Sequence, residues 1–227
     1  MENIIEIRNL KKGFNDLVIF DEYNLDIRRN SFTVISGASG SGKSTLLNMI
    51  GLLDREDGGT IVRFGKIGIK PFTKASEVLL REKIGYLFQN FALIDHKSVR
   101  YNLEIALENV KSDQKGELIS KALKEVGLEG FEEKMIYKCS GGEQQRIALA
   151  RLMLKPCELI LADEPTGSLD HGNKMIILDV LKRLHGEGKT ILIVTHDEEL
   201  MSMGDPHVRL ENLQEDTAMG GEISWKI

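Results

Sequence analysis

Ser31-Phe32-Thr33-Val34-Ile35-Ser36, then Gly37-Ala38-Ser39-Gly40-Ser41-Gly42-Lys43-Ser44-Thr45, then Leu46-Leu47-Asn48-Met49-Ile50, is the stretch from which the rest of the chain is read. Residues 31–36 form an apolar, β-branched run, the pattern of a buried strand. Residues 44–50 carry apolar side chains at helical spacing, and Gly51 stands where that helix stops. Between them, Gly37 to Ser44 fits G-x-x-x-x-G-K-[ST], and the strand–loop–helix setting gives the motif its meaning. Glycines let the main chain come close to a phosphate. Successive N–H groups then turn inward, and the helix N-terminus adds partial positive charge. Lys43 supplies a full charge for the outer phosphates, and Ser44 a hydroxyl oxygen for Mg²⁺. Gly37, Ser39, Gly40, Ser41, Gly42, Lys43, Ser44 and Thr45 are the expected phosphate-binding residues.

On either side the pattern stays consistent. Residues 23–27 alternate as a half-buried strand; Asp57-Gly58-Gly59 reads as a turn into a strand over 60–64; residues 84–88 read as another strand. From about residue 91 to 156, helical periodicity replaces strands. Leu118, Ile119, Ala122, Leu123 and Val126 share one helix face before Gly127, and Ile147, Ala150, Met153 and Leu154 form a second stripe. Strands return at 159–162 and 190–194, with an apolar helix over roughly 174–184 between them. Continuous apolar strands alternating with helices predict a parallel sheet covered on both faces. The helical middle reads as an insertion into that α/β core. The polar tail beyond residue 212 is expected at the surface.

Leu159-Ile160-Leu161-Ala162 runs straight into Asp163-Glu164. A buried strand ending in two acids sets them at the carboxyl edge of the sheet, where α/β proteins bind ligands. Asp163 is placed to help hold Mg²⁺. Glu164 suits a general base that orients and polarises water, with Pro165 fixing the turn after it.

Composition narrows the class. The chain has 227 residues, 30 Lys plus Arg against 35 Asp plus Glu, and a net charge of −5. A mildly acidic chain lacks the excess basic charge on which non-specific nucleic-acid binding rests. No apolar run reaches the roughly 18–20 residues of a membrane span. The first residues lack the pattern of a secretory leader, and two cysteines make no disulfide framework. The expectation is a cytoplasmic protein whose membrane role, if any, comes through a partner.

Cys139-Ser140-Gly141-Gly142-Glu143-Gln144-Gln145-Arg146 resembles L-S-G-G-Q-x-x-R, the signature of ATP-binding cassette ATPases. It lies between the phosphate loop and the carboxylate strand, as in that family. Gln89 matches the family's Q-loop glutamine, Ser168-Leu169-Asp170 its D-loop, and Thr195-His196-Asp197 its switch histidine. Phe14 sits where an aromatic stacks on adenine. The run Leu161-Ala162-Asp163-Glu164-Pro165-Thr166-Gly167-Ser168-Leu169-Asp170 resembles the macrolide-exporter and lipoprotein-release clade. Residues 83–90 resemble bacteriocin-export ATPases.

The resemblance spans about residues 3 to 212 and implies a P-loop NTPase core with a mostly parallel sheet, an antiparallel β subdomain and an inserted α-helical subdomain. Residues 1–90 and 156–227 would form the nucleotide-binding core, and 91–155 the helical part, within one domain. ATP and Mg²⁺ are the implied cofactors. Lys43, Gln89, Glu164 and His196 are the implied catalytic set. Ser44, Gln89 and Asp163 are the implied metal ligands. Phe14, Ser140, Gly141, Gly142 and Asp170 complete nucleotide binding. Two cassettes would meet head to tail, the Ser140-Gly141-Gly142 helix start of one capping the γ-phosphate held by the other. A transmembrane permease on a separate chain is the implied partner, at the inner face of the membrane, with no role for nucleic acid. The implied work is export or extraction of a peptide, lipid-linked or drug-like substrate. Relatives that drive a membrane-bound regulatory or cell-wall machine are the alternative. Cys139 for leucine, Glu143 for glutamine and Phe14 for tyrosine depart from the usual pattern, and none removes catalytic chemistry.

Overall fold

The computed structural model describes residues 2–211 apart from Asp16 and Ser168. The expected surface tail, and Ser168 of the Ser168-Leu169-Asp170 motif, lie outside the described residues. Strands β1 (Asn3–Phe14) and β2 (Leu17–Arg28) form an antiparallel hairpin. β3 (Phe32–Gly37) leads through the phosphate loop into helix α1 (Lys43–Ile50). β4 (Gly58–Arg63) returns to pair antiparallel with β1, giving a three-stranded sheet in the order β2-β1-β4. Helix α2 (Lys74–Glu82) precedes β5 (Ile84–Leu87). The helical middle holds α3 (Val99–Glu104), α4 (Ser112–Glu125) and α5 (Gly141–Leu154). Then come β6 (Leu159–Asp163), α6 (His171–Gly186), β7 (Thr190–Val194), α7 (Glu198–Met203) and β8 (His207–Leu210). The second sheet runs β5-β6-β7-β3-β8, and every pairing in it is parallel.

That sheet divides the interior. Val34, Ile160, Ala162, Ile191 and Ile193 point to one apolar cluster, where they meet α6 and the helical segment. Ile35, Leu159, Leu161, Leu192 and Val194 point to the other, against α1 and the antiparallel sheet. The alternation follows from the two-residue period of a strand, and apolar side chains on both faces are what a doubly covered parallel sheet requires. The helical middle has no core of its own: Val99, Leu103, Leu123, Ile136 and Leu149 belong to the same cluster as the sheet residues.

Several expected boundaries shift for physical reasons. The strand expected over 60–64 ends at Arg63, because Phe64 takes a left-handed φ of 51°. The expected turn glycines Gly58 and Gly59 are the first residues of that strand instead. The helix expected from residue 174 begins at His171, because the Asp170 side chain accepts the Asn173 N–H and caps it. The long strand β1 escapes periodicity reading, since its bulges break the alternation. Gly127, the expected stop after α4, has φ 68°.

Arg63 is the largest fully buried side chain outside the apolar set. Its Nε donates to the Ile50 carbonyl at 3.0 Å, one Nη to Met49 at 2.5 Å and the other to Ile61 at 3.2 Å. Met49 and Ile50 carry the last carbonyls of α1, where the helix dipole is negative, so a cation there is well placed. Burial pushes the guanidinium pKa down to about 10, which leaves it charged at neutral pH. The bond ties the phosphate-loop helix to the antiparallel sheet. Arg63→Ala strands those carbonyls in the interior and opens a cavity; it is expected to lower stability by about 3 kcal/mol, measured by urea unfolding against wild type.

Candidate nucleotide site at the carboxyl edge of the parallel sheet

Four parallel strands deliver the expected site residues to one edge. β3 runs into the phosphate loop, β6 into Asp163-Glu164, β7 into Thr195-His196-Asp197, and β5 toward Gln89. The register Ile35↔Val194 and Asp163↔Val194 sets these exits level with one another, and Leu87↔Ala162 carries Gln89 to the same edge.

In the loop itself, Gly42 caps α1 with φ 89°, and a Cβ there would lie 2.4 Å from Ile19 Cγ2 and 2.9 Å from the Phe20 ring. Only glycine fits, in both conformation and space. Lys43 Nζ donates to the carbonyls of Gly37 at 2.9 Å and Ala38 at 2.8 Å, holding the ammonium across the loop. Ser41 Oγ is buried beside Gly37 with no hydrogen-bond partner among the described residues. Ser44 Oγ donates to Asp163 Oδ1 at 3.0 Å. Burial pushes the Asp163 carboxyl up, and the Glu164 charge adds to it, while Ser44 and Lys43 oppose. These two hard oxygen donors, side by side, suit Mg²⁺. Among the described residues no group of three or more His, Cys, Asp or Glu could hold a metal alone. The ion would therefore be held jointly with phosphate oxygens and water.

Glu164 has φ 45°, a left-handed backbone for a non-glycine residue. Such conformations cost free energy and persist only where surroundings enforce them. Here the Glu164 N–H donates to the Val194 carbonyl at 2.9 Å, and the Glu164 carbonyl accepts the Gly167 N–H at 3.1 Å. The side chain is largely buried. Its Oε2 accepts Thr195 Oγ1 at 3.0 Å, and its Oε1 lies 2.9 Å from His196 Nδ1. The His196 ring is 77% exposed, so its other nitrogen is free to meet a phosphate. Asp197 is a hub: it accepts Thr166 Oγ1 and Lys174 Nζ, each at 2.9 Å, and caps α7.

Phe14 sits at the end of β1, half exposed, with Lys12 Nζ 4.9 Å from its ring centroid. Lys12 is itself buried and anchored to Asp54 and to the Arg55 carbonyl. Gln89 is exposed. Ser140 caps α5: its Oγ accepts the Glu143 N–H at 3.3 Å, while Glu143 Oε2 accepts the Ser140 N–H at 2.8 Å and Lys134 Nζ at 2.9 Å. Glu143 thus completes a reciprocal cap, and Gly141 N–H and Gly142 N–H are first-turn donors with no partner inside the helix. The helix start lies against Asn173 and makes no hydrogen bond to the phosphate loop among the described residues. Cys139 is buried, and burial pushes its thiol pKa up.

The family profile described as ABC transporter matches residues 20–167. The chain belongs to the ABC transporter family. Its fold is that of the ABC cassette, an ATP-binding ATPase domain. It is 34% identical over 216 residues to the macrolide export ATP-binding/permease protein MacB of Mannheimia succiniciproducens, covering 92% of this chain. It spans about a third, 34%, of that relative's length. It is 37% identical over 200 residues to the ABC transporter ATP-binding protein YvrO of Bacillus subtilis, covering 87% of each chain. The dimeric structure of MJ0796, a bacterial ABC transporter cassette, superposes with TM-score 0.85 at 33% identity, covering 92% of this chain and 94% of that one.

Sequence reading missed Thr195 as a holder of Glu164, Asp197 as the hub, Gln145 on the buried face of the signature helix, and Asn173 behind it. Three of these lay inside quoted motifs, but a hydrogen bond across 31 residues leaves no mark on local pattern. Glu143 yields a pH test. Against the effect of burial, Lys134 and the Ser140 N–H hold its carboxyl below the usual 4.5. Its contribution is complete above that value and fades as pH falls through the lower folded-state value. The melting-temperature advantage of wild type over Glu143→Gln should therefore shrink as pH drops below 4.5, read by thermal denaturation across pH 3–7.

Proposed function

We propose that this chain is the ATP-hydrolysing subunit of a membrane exporter, working as a head-to-tail pair of cassettes with Mg²⁺. The observation that carries the reading is the split between two halves of one site. Lys43, Ser44, Asp163, Glu164, Gln89 and His196 gather at the sheet edge, while Ser140, Gly141 and Gly142 present helix-start donors elsewhere. Each half is built for phosphate, and a second copy brings them together. MJ0796, similar throughout, was solved as a dimer, and a related structure of it holds ADP and Pi after hydrolysis.

In this reading the reaction is attack of water on the γ-phosphate of ATP. Lys43 leaves its loop carbonyls for the β- and γ-oxygens. Ser44, Asp163 and Gln89 are the residues that would hold Mg²⁺, which would supply charge neutralisation. Phe14 offers a ring face to adenine. Glu164 is the base: Thr195 holds Oε2, and Oε1 becomes available to water as His196 turns to the γ-phosphate. Asp170 and the Ser140 helix start belong to the facing half-site. Loss of the γ-phosphate removes what joins the two chains, so closure follows the nucleotide.

No described helix is long and apolar enough to cross a bilayer, and this reading assigns the membrane path to a permease. The chain would sit peripherally at the inner face. The segment 89–99 and the exposed Tyr101, Ile105 and Tyr137 of the helical part suit a permease element. The similarity to MacB, a macrolide export ATP-binding/permease protein, supports an export role; the substrate of this reading is a peptide, lipid-linked or drug-like molecule, which the permease would select.

Lys43→Ala is expected to lower phosphate release by about a hundredfold or more; ordinary turnover in that variant overturns the site. Glu164→Gln is expected to bind ATP and accumulate as a dimer on gel filtration with ATP and Mg²⁺. A monomer under those conditions overturns the paired-cassette reading.

A further inference from the structure

Gln145 is 2% exposed, and the chemistry above gives it no task. It lies on α5, one turn after Gly142, so both face the same direction. That face meets the catalytic segment twice. At Gly142 a Cβ would fall 2.7 Å from Asn173 Nδ2, so the glycine admits close contact with α6. Asn173 is in turn bonded through its N–H and its amide to Asp170. At Gln145, Nε2 donates to the carbonyl of Pro165, the residue that follows Glu164. Its Oε1 accepts no hydrogen bond among the described residues. A buried amide with one half unused is costly to keep, and here the half in use is the donor aimed at Pro165.

The partner atom matters. Pro165 has a ring-fixed φ, and Glu164 before it holds φ 45°. A backbone of that kind keeps its shape only where neighbours impose it. Gln145 fastens the turn from the side of the signature helix, while Val194 fastens it from the sheet. The start of α5 is the surface that caps the other chain's ATP, and Glu164 serves this chain's own. We propose that Gln145 is a positioning residue that couples the two half-sites: docking of α5 on the partner's γ-phosphate sets the Glu164 backbone through the Gln145–Pro165 bond. The proposal rests on the paired-cassette reading.

The test compares the full chain with Gln145→Met, which keeps length and apolar bulk but has no donor, and with Gln145→Glu. Phosphate release is measured over ATP concentration, with nucleotide affinity from a fluorescent ADP analogue and with dimerisation in the Glu164→Gln background. Wild type is expected to show a Hill coefficient above 1. Gln145→Met should lose tenfold or more in kcat, with KM and nucleotide Kd within about twofold, dimerisation intact, and a Hill coefficient of 1. Gln145→Glu should be slow at pH 9 and recover toward wild type at pH 6, each compared at the same pH, because a buried carboxyl regains a donor only when protonated. If Gln145→Met does not fold, the Gln145→Glu pH series decides alone. A Gln145→Met chain with wild-type kcat and cooperativity, or a Gln145→Glu chain equally slow at both pH values, overturns the proposal while leaving the ATPase reading intact. A non-cooperative wild type overturns the coupling. A wild type that neither hydrolyses ATP nor pairs overturns the underlying reading instead.

Discussion

A parallel sheet buried on both faces has no water to satisfy its edges or its side chains, so polar function is driven to the ends of the strands. In this chain that constraint organises everything else. β3, β7, β6 and β5 are in register, so the phosphate loop, the acid pair, His196 and Gln89 leave the sheet at one edge. Ser44 reaches Asp163 across 119 positions of sequence only because the strands beneath them are parallel and level. A single antiparallel strand in this set would send its loop to the opposite end.

The phosphate-loop helix is held from both ends. Its N-terminus opens onto the cradle, where Gly42 leaves no room for a side chain between the loop and β2. Its C-terminus is capped by the buried Arg63 guanidinium from β4. The antiparallel sheet, which also carries Phe14, is thereby fastened to the helix that follows the phosphate loop. The proposed adenine and phosphate contacts thus sit on joined elements, which suits a site that must hold a flexible ligand in one geometry.

Glu164 shows how the fold restrains a carboxylate. Its backbone lies in a region that most residues avoid, and its carboxylate is held by Thr195 and His196. The restraints come from β7, from the turn at Gly167 and, through Pro165, from the signature helix. A carboxylate held this way has few conformations to sample, so in the proposed role of general base it would leave little reorganisation for the moment of reaction. Asp197 extends the restraint by joining Thr166, Lys174 and the start of α7.

Local pattern in the sequence determined those features that are written in consecutive residues. The G-x-x-x-x-G-K-S loop, the strand ending in Asp163-Glu164, the Ser140 helix start and the alternation of strands and helices each depend on neighbours a few positions apart, and backbone geometry responds to such neighbours directly. Boundaries drifted where a single φ or cap decides them, as at Phe64 and Asp170. Tertiary structure alone decided the long-range pairs. Arginine is rarely buried, and only the carbonyls of α1 explain the place of Arg63 in the interior. Gln145, Thr195 and Asn173 gain their roles from atoms brought close by the sheet and the helix packing. A hydrogen bond needs about 3 Å between partners, and that distance is set by the folded chain, not by spacing along it.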